Sequence, residues 1–107
     1  MDIRQEGEVW VVSLPAQFTE NEVCEFRGVV YDLADKGRTT IVADASKMSF
    51  FDSAAIGTLV HILRHLKTIG GNLRLRNLHG EPLEVFKDNE MGIMFEQDEH
   101  GGDSQQT

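Results

Sequence analysis

Residues 40–78 open with Thr40-Ile41-Val42-Ala43-Asp44-Ala45 and pass through Lys47-Met48-Ser49-Phe50-Phe51-Asp52-Ser53. They close with Gly70-Gly71 and Asn72-Leu73-Arg74-Leu75-Arg76-Asn77-Leu78. The first run is short, nearly continuous and β-prone, the pattern of a strand covered on both faces and so central in its sheet. Between Ser53 and Gly70, Ala55, Ile56, Leu59, Ile62, Leu63, Leu66 and Ile69 recur at three- and four-residue spacing, which predicts a helix with that stripe buried. Gly70-Gly71 stops it. The final run alternates apolar and polar residues with period two, which marks a half-exposed strand near a sheet edge. Strand, helix and strand in this order form a crossover unit, and such crossovers are right-handed.

Working outward, Ile3 and Val9-Trp10-Val11-Val12-Ser13-Leu14 are β-rich with Glu6-Gly7-Glu8 between them, which predicts two antiparallel strands joined by a tight turn. Pro15 ends the second. Thr19-Glu20-Asn21-Glu22 has the spacing of a capping box, so a helix begins at about Glu20. Val23, Phe26, Val30, Leu33 and Ala34 give it one apolar face, and Gly37 supplies the stop after Lys36. Downstream, Glu81-Pro82 opens a short helix with Leu83 and Phe86 inward, because proline is tolerated where no amide partner is needed. Met91-Gly92-Ile93-Met94-Phe95 reads as a last short strand. The order β-β-α-β-α-β-α-β is an α/β fold, a small mixed β-sheet with the first two helices packed on one face.

The chain has 107 residues, 40% of them apolar and 7% aromatic, enough for one domain with a real core. Ten basic residues face eighteen acidic ones, for a formal charge of −8. An acidic surface repels phosphate backbones and anionic lipid, so nucleic acid and the membrane surface are poor expectations, and the apolar runs are too short for membrane insertion. The charge is uneven. Glu96, Asp98, Glu99 and Asp103 give residues 96–107 a charge of −4 with no Lys or Arg, and residues 1–95 carry the other −4. The expected organisation is a folded body over 1–95 and an acidic, disordered tail over 96–107. Cys24 is the single cysteine, which excludes an intramolecular disulfide and fits a reducing interior. With no apolar signal core at the start and no membrane-length run, the expected location is cytoplasmic.

The chemically informative stretch is Phe51-Asp52-Ser53-Ala54-Ala55-Ile56-Gly57, a turn that places a hydroxyl at the start of the second helix. Asp52 or Ser53 can cap that helix by accepting from amides one turn on. A helix N-terminus carries about half a positive elementary charge, so a phosphate on Ser53 is electrostatically tolerated. Ala54, Ala55 and Gly57 keep the loop open to another protein's active site.

Asp52, Ser53 and Gly57 match the loop of the STAS domain of bacterial anti-sigma factor antagonists, which reads Asp-Ser-Ser-Gly-Leu-Gly. Ile56 is a conservative swap there, while Ala54 and Ala55 replace the second serine and the first glycine. The chain resembles that family over nearly all of residues 1–95, although Pro15-Ala16-Gln17-Phe18-Thr19 departs from its Gly-Glu-Leu-Asp stretch. The resemblance implies a STAS-like fold and a regulator, not an enzyme, that needs no cofactor. Ser53 takes the position of the phosphate acceptor, and Asp52 and Gly57 position the loop. It implies a partner switch: the unmodified protein binds a serine kinase that doubles as an anti-sigma factor, phosphorylation releases it, and a PP2C-type phosphatase restores it. Ala54, Thr58, His61, Arg64 and His65, off the apolar stripe of the second helix, are the expected partner-binding residues.

A second reading comes from another class: a STAS subunit docking an ATPase in a membrane-transport complex through the same helix face, without phosphorylation. Other signals are weaker. His61 and His65 have metal-compatible spacing on a helix but no third ligand, so no metal is expected. Ser49 and Thr58 are secondary hydroxyls. Gly70-Gly71 is not part of a phosphate-cradling motif.

Overall fold

A computed structural model of the chain describes residues 1–88 and 96–98. Strands β1 (Ile3–Glu6) and β2 (Val9–Ser13) form an antiparallel hairpin. Next come the two-residue strand β3 (Gln17–Phe18), helix α1 (Glu20–Asp35) and strand β4 (Thr40–Asp44). A second two-residue strand, β5 (Phe50–Phe51), leads into helix α2 (Ser53–Thr68), strand β6 (Asn72–Arg76), helix α3 (Gly80–Asp88) and strand β7 (Glu96–Asp98). The main sheet has the order β1-β2-β4-β6-β7 and is parallel except for the β1–β2 pair. β4 is central, as its continuous apolar run requires.

The core forms where one face of this sheet meets α1 and α2. Val12, Leu14, Ile41, Ala43, Leu73 and Leu75 join Val23, Phe26, Val30 and Leu33 of α1 and Ile56, Leu59, Ile62, Leu63 and Leu66 of α2 in a single apolar cluster. At the start of α1, the Thr19 amide donates to Glu22 Oε1 at 3.2 Å and the Thr19 hydroxyl donates to the same oxygen at 2.5 Å. Those bonds hold the Glu22 carboxyl below its ordinary range, the Thr19 hydroxyl being the main cause. Both long helices end in the same way. Arg38 N–H returns to Leu33 O and Gly37 N–H to Ala34 O; Gly71 N–H returns to Leu66 O and Gly70 N–H to Lys67 O. This six-residue closure needs a left-handed residue, supplied by Gly37 (φ +80°) and Gly70 (φ +83°).

The opposite face of the main sheet is held by charge. Pleating puts Arg4, Val11, Val42 and Arg74 on one row of that face, since each opposes the next across the strands. Val11 and Val42 are only 0% and 2% exposed. Arg76, on the same face, reaches back across β4 and β2 to Glu6 at 3.1 Å, and Arg4 meets Glu6 at 3.0 Å and Asp44 at 3.6 Å. The diagonal Arg76–Glu6 bridge is possible because sheet twist lifts opposite corners toward each other.

Several differences from the sequence reading have physical reasons. Ile69 is 47% exposed and outside the buried stripe, because it is the C-cap of α2 and its backbone has already left the helix. Val60 is buried in its place, one turn after Ile56. Arg76 is buried although its strand alternates, because Glu6 supplies its counter-charge. β7 begins at Glu96, within the segment assigned to the acidic tail, because its backbone pairs with the free edge of β6. The strand expected over Met91–Phe95 lies outside the described residues. The small sheet of β3 and β5 has no counterpart in the sequence reading, since two-residue strands carry no periodicity.

Two predictions follow from these contacts. A Cβ on Gly71 would overlap the Thr39 carbonyl oxygen, so Gly71→Ala forces the backbone apart, whereas Gly28, inside α1, faces open space. Gly71→Ala is expected to cost about 2 kcal/mol, while Gly28→Ala adds up to about 1 kcal/mol. Thermal melts of both variants check this, and changes of the same sign contradict it. The second concerns pH. Hydrogen bonding to Arg4, and then to Arg76, holds the Glu6 carboxyl below its usual 4.5 against the opposing effect of burial. A depressed folded-state pKa contributes stability above the unfolded value that is lost as pH falls through the folded one. Urea midpoints should therefore drop as pH is lowered from about 5 to about 3, and Glu6→Gln should flatten that slope. An unchanged slope contradicts the assignment.

Candidate functional site

The site is built at the exit of β4, where the chain must turn from the sheet into α2. Asp44 fixes the exit. Its Oδ1 accepts the Ser46 amide at 3.0 Å and the Asn77 side-chain amide at 3.2 Å. Burial pushes its carboxyl upward, but the Ser46 and Asn77 bonds and the Arg4 charge outweigh that and hold it below the ordinary aspartate range. Asn77 adopts φ 61°, a left-handed turn that few residues besides Gly, Asn and Asp accept. His79 Nε2 lies 2.9 Å from Ser46 O, a second tie between the same two loops.

From there the chain is clamped by the small sheet. β3 and β5 run parallel, Gln17 opposite Phe50 and Phe18 opposite Phe51. The Ser49 and Phe50 amides both donate to Ala16 O, at 2.8 and 3.2 Å. Phe18 packs edge-on against Phe26 of α1 with ring centres 5.8 Å apart, and Phe51 stacks on Phe86 of α3 at 5.0 Å. The loop before α2 is thus tied to both neighbouring helices, and the next residues have little freedom.

Asp52 takes the cap. Its backbone is extended, and its side chain accepts the Ala55 amide at 3.0 Å. Of the two capping candidates in the sequence, the carboxylate does the work. Ser53 begins the helix and is exposed, and its hydroxyl makes no hydrogen bond among the described residues. The other nearby hydroxyls differ: Ser49 donates to Ala16 O at 3.3 Å, and Thr58 is half-buried a turn inside α2.

Along α2, Ala54, His61, Arg64 and His65 are exposed and Gly57 and Thr58 are half-buried. The expected partner-binding residues therefore share the solvent side with Ser53, while the stripe on the other side is in the core. His65 is not free-standing: its ring lies 4.8 Å from that of Tyr31 on α1. No group of His, Cys, Asp and Glu among the described residues is arranged to hold a metal ion. Phe50, 46% exposed, borders the loop and is a surface residue the sequence reading missed. The signal was available, since adjacent residues of a strand point to opposite faces and Phe50 and Phe51 cannot both be inward. No helix of the described residues is long and apolar enough to cross a membrane.

No curated protein matches this sequence. Solved structures do. The Bacillus cell fate determinant SpoIIAA in its phosphorylated form is 22% identical, with 91% of this chain and 89% of that one aligned at a TM-score of 0.68. A candidate anti-sigma factor antagonist of Thermotoga maritima is 20% identical over 90% of this chain and 83% of its own, with a TM-score of 0.76. A serine-to-glutamate variant of Moorella thermoacetica RsbS is 20% identical over 85% and 76%, with a TM-score of 0.67. At these identities the likeness speaks for the fold. The family model described as "STAS domain" matches residues 1–96, and the chain belongs to the STAS domain family.

Proposed function

We propose that this STAS domain is an anti-sigma factor antagonist controlled by phosphorylation of Ser53. Unmodified, it binds a serine kinase that is also the anti-sigma factor, through the Ser53 loop and the outer face of α2. In the transfer step the Ser53 hydroxyl loses its proton to the kinase, a bond forms between Ser53 Oγ and the γ-phosphorus of ATP, and ADP leaves. A PP2C-type phosphatase hydrolyses the ester and resets the switch.

The observation that carries this reading is the division of labour at the start of α2. Asp52 does the capping, and the neighbouring hydroxyl is exposed and uncommitted. A phosphate there adds about −1.5 to −2 charges beside the positive end of a helix, so the protein's own fold tolerates it. The bound partner does not, because like charges brought together at an interface cost several kcal/mol. SpoIIAA, whose fold this chain shares, has been solved in unphosphorylated and phosphorylated forms. Docking an ATPase of a transport complex would use the same face but gives the free hydroxyl no role.

Incubation with the cognate kinase and ATP is expected to add one phosphate, mapped to Ser53 by tandem mass spectrometry, and Ser53→Ala is expected to take none. Label elsewhere, or undiminished label on Ser53→Ala, overturns the proposal. Cap and acceptor are separable. Asp52→Ala should lower stability by about 1 kcal/mol through loss of the cap. Ser53→Asp should leave the melting temperature nearly unchanged while weakening kinase capture more than about tenfold, the equivalent of 1.4 kcal/mol.

A further inference from the structure

The outer surface of α2 is basic although the chain as a whole is acidic. The protein carries −8, with eighteen acidic residues, yet none of them lies between Ser53 and Thr68. Arg64 and Lys67 are exposed on this helix and form no ion pair with any described residue. His61 and His65 lie among them, also exposed. The surface continues onto α1, because Tyr31 meets His65 and Arg27, one turn before Tyr31, is exposed and likewise without an ion pair among the described residues. Acids flank it in sequence. Asp35 lies one turn beyond Tyr31, Glu20 stands at the start of α1, and Asp52 is engaged by the Ala55 amide. Elsewhere on α1, Asp32 is matched by Lys36 at 3.2 Å and Glu22 is engaged at the cap.

We propose that Arg27, Arg64 and Lys67, with His61 and His65 between them, form the receiving surface for an acidic patch on the partner protein. The proposal rests on the partner-switching reading and specifies the chemistry of that partner. The occupant is a protein surface and not a polyanion, because the chain's overall negative charge opposes the approach of nucleic acid or anionic lipid, whereas a compact acidic patch meets only the local field within a Debye length, about 8 Å at physiological salt. It also accounts for the sign of the switch. Phosphate on Ser53 places about two negative charges at the N-terminal end of the same side of α2, where they repel an acidic partner that extends along the helix.

The test is a titration of the 15N-labelled full chain with a hexaglutamate peptide at low ionic strength, read as amide shift changes. Hexalysine, phosphatidylserine-containing vesicles and a DNA duplex are run in parallel. The expected result is saturable shifts along α2 from Gly57 to Thr68 and around Arg27 with hexaglutamate, removed by salt. The Arg64→Glu/Lys67→Glu variant, melting as the parent does, should bind at least tenfold more weakly, and Lys87→Glu on α3 should bind as the parent does. No shifts, shifts centred on Lys47 or Lys87, or stronger binding of vesicles or DNA overturns the proposal. A kinase assay separates it from the reading it rests on. If the kinase phosphorylates Ser53 and binds the charge-reversed variant as tightly as the parent, the acidic-patch proposal fails while the switch stands. If the kinase never modifies Ser53, the switch fails while the peptide titration still decides the surface.

Discussion

The rotation of α2 about its own axis is the constraint on which the rest of the molecule depends. Ile56, Leu59, Ile62, Leu63 and Leu66 are buried against Ile41, Ala43, Leu73 and Leu75, and each such side chain removed from water contributes about 1.5–3 kcal/mol. Turning the helix by one residue would bring Arg64 or Lys67 toward the core, and an unpaired buried charge costs more than any surface contact returns. The core therefore decides which residues of α2 face outward. It also decides that Ser53 and the cationic residues share a side, although nothing in their own chemistry requires them to be together.

A second layer of constraint acts on the loop. The carboxylate of Asp44, the two-residue ladder between β3 and β5, and the Phe51–Phe86 stack hold the segment from Ala45 to Asp52 at both ends. In the proposed switch, a loop tied in this way would present Ser53 to the kinase without first having to be ordered, which lowers the entropic cost of recognition. Asp52 completes the arrangement. By capping the helix itself it leaves the adjacent hydroxyl without a structural duty, so modification of Ser53 need not unfold anything.

How much of this could be read from the residues depends on range. The capping box at Thr19 and Glu22, the glycine stops at Gly37 and Gly70, and the central position of β4 are set by neighbours within one or two turns, and the sequence shows them. The outward set on α2 follows from periodicity alone. What periodicity missed was decided elsewhere in the chain. Ile69 fits the stripe by spacing, but the helix closure at Gly70 moves its backbone out of register. Arg76 looks like an outward residue until Glu6, seventy positions away, supplies its partner. Glu96-Gln97-Asp98 has no β character of its own and becomes a strand because β6 offers an unpaired edge. The cationic surface is likewise invisible in the net charge, because it is an absence of acids from one helix.

Mass spectrometry of the intact protein purified from its own host, followed by peptide mapping, addresses the central claim most directly. The account predicts two populations, one unmodified and one carrying a single phosphate on Ser53, whose ratio shifts with growth conditions. A phosphate confined to another residue, or no phosphate under any condition tested, would contradict it.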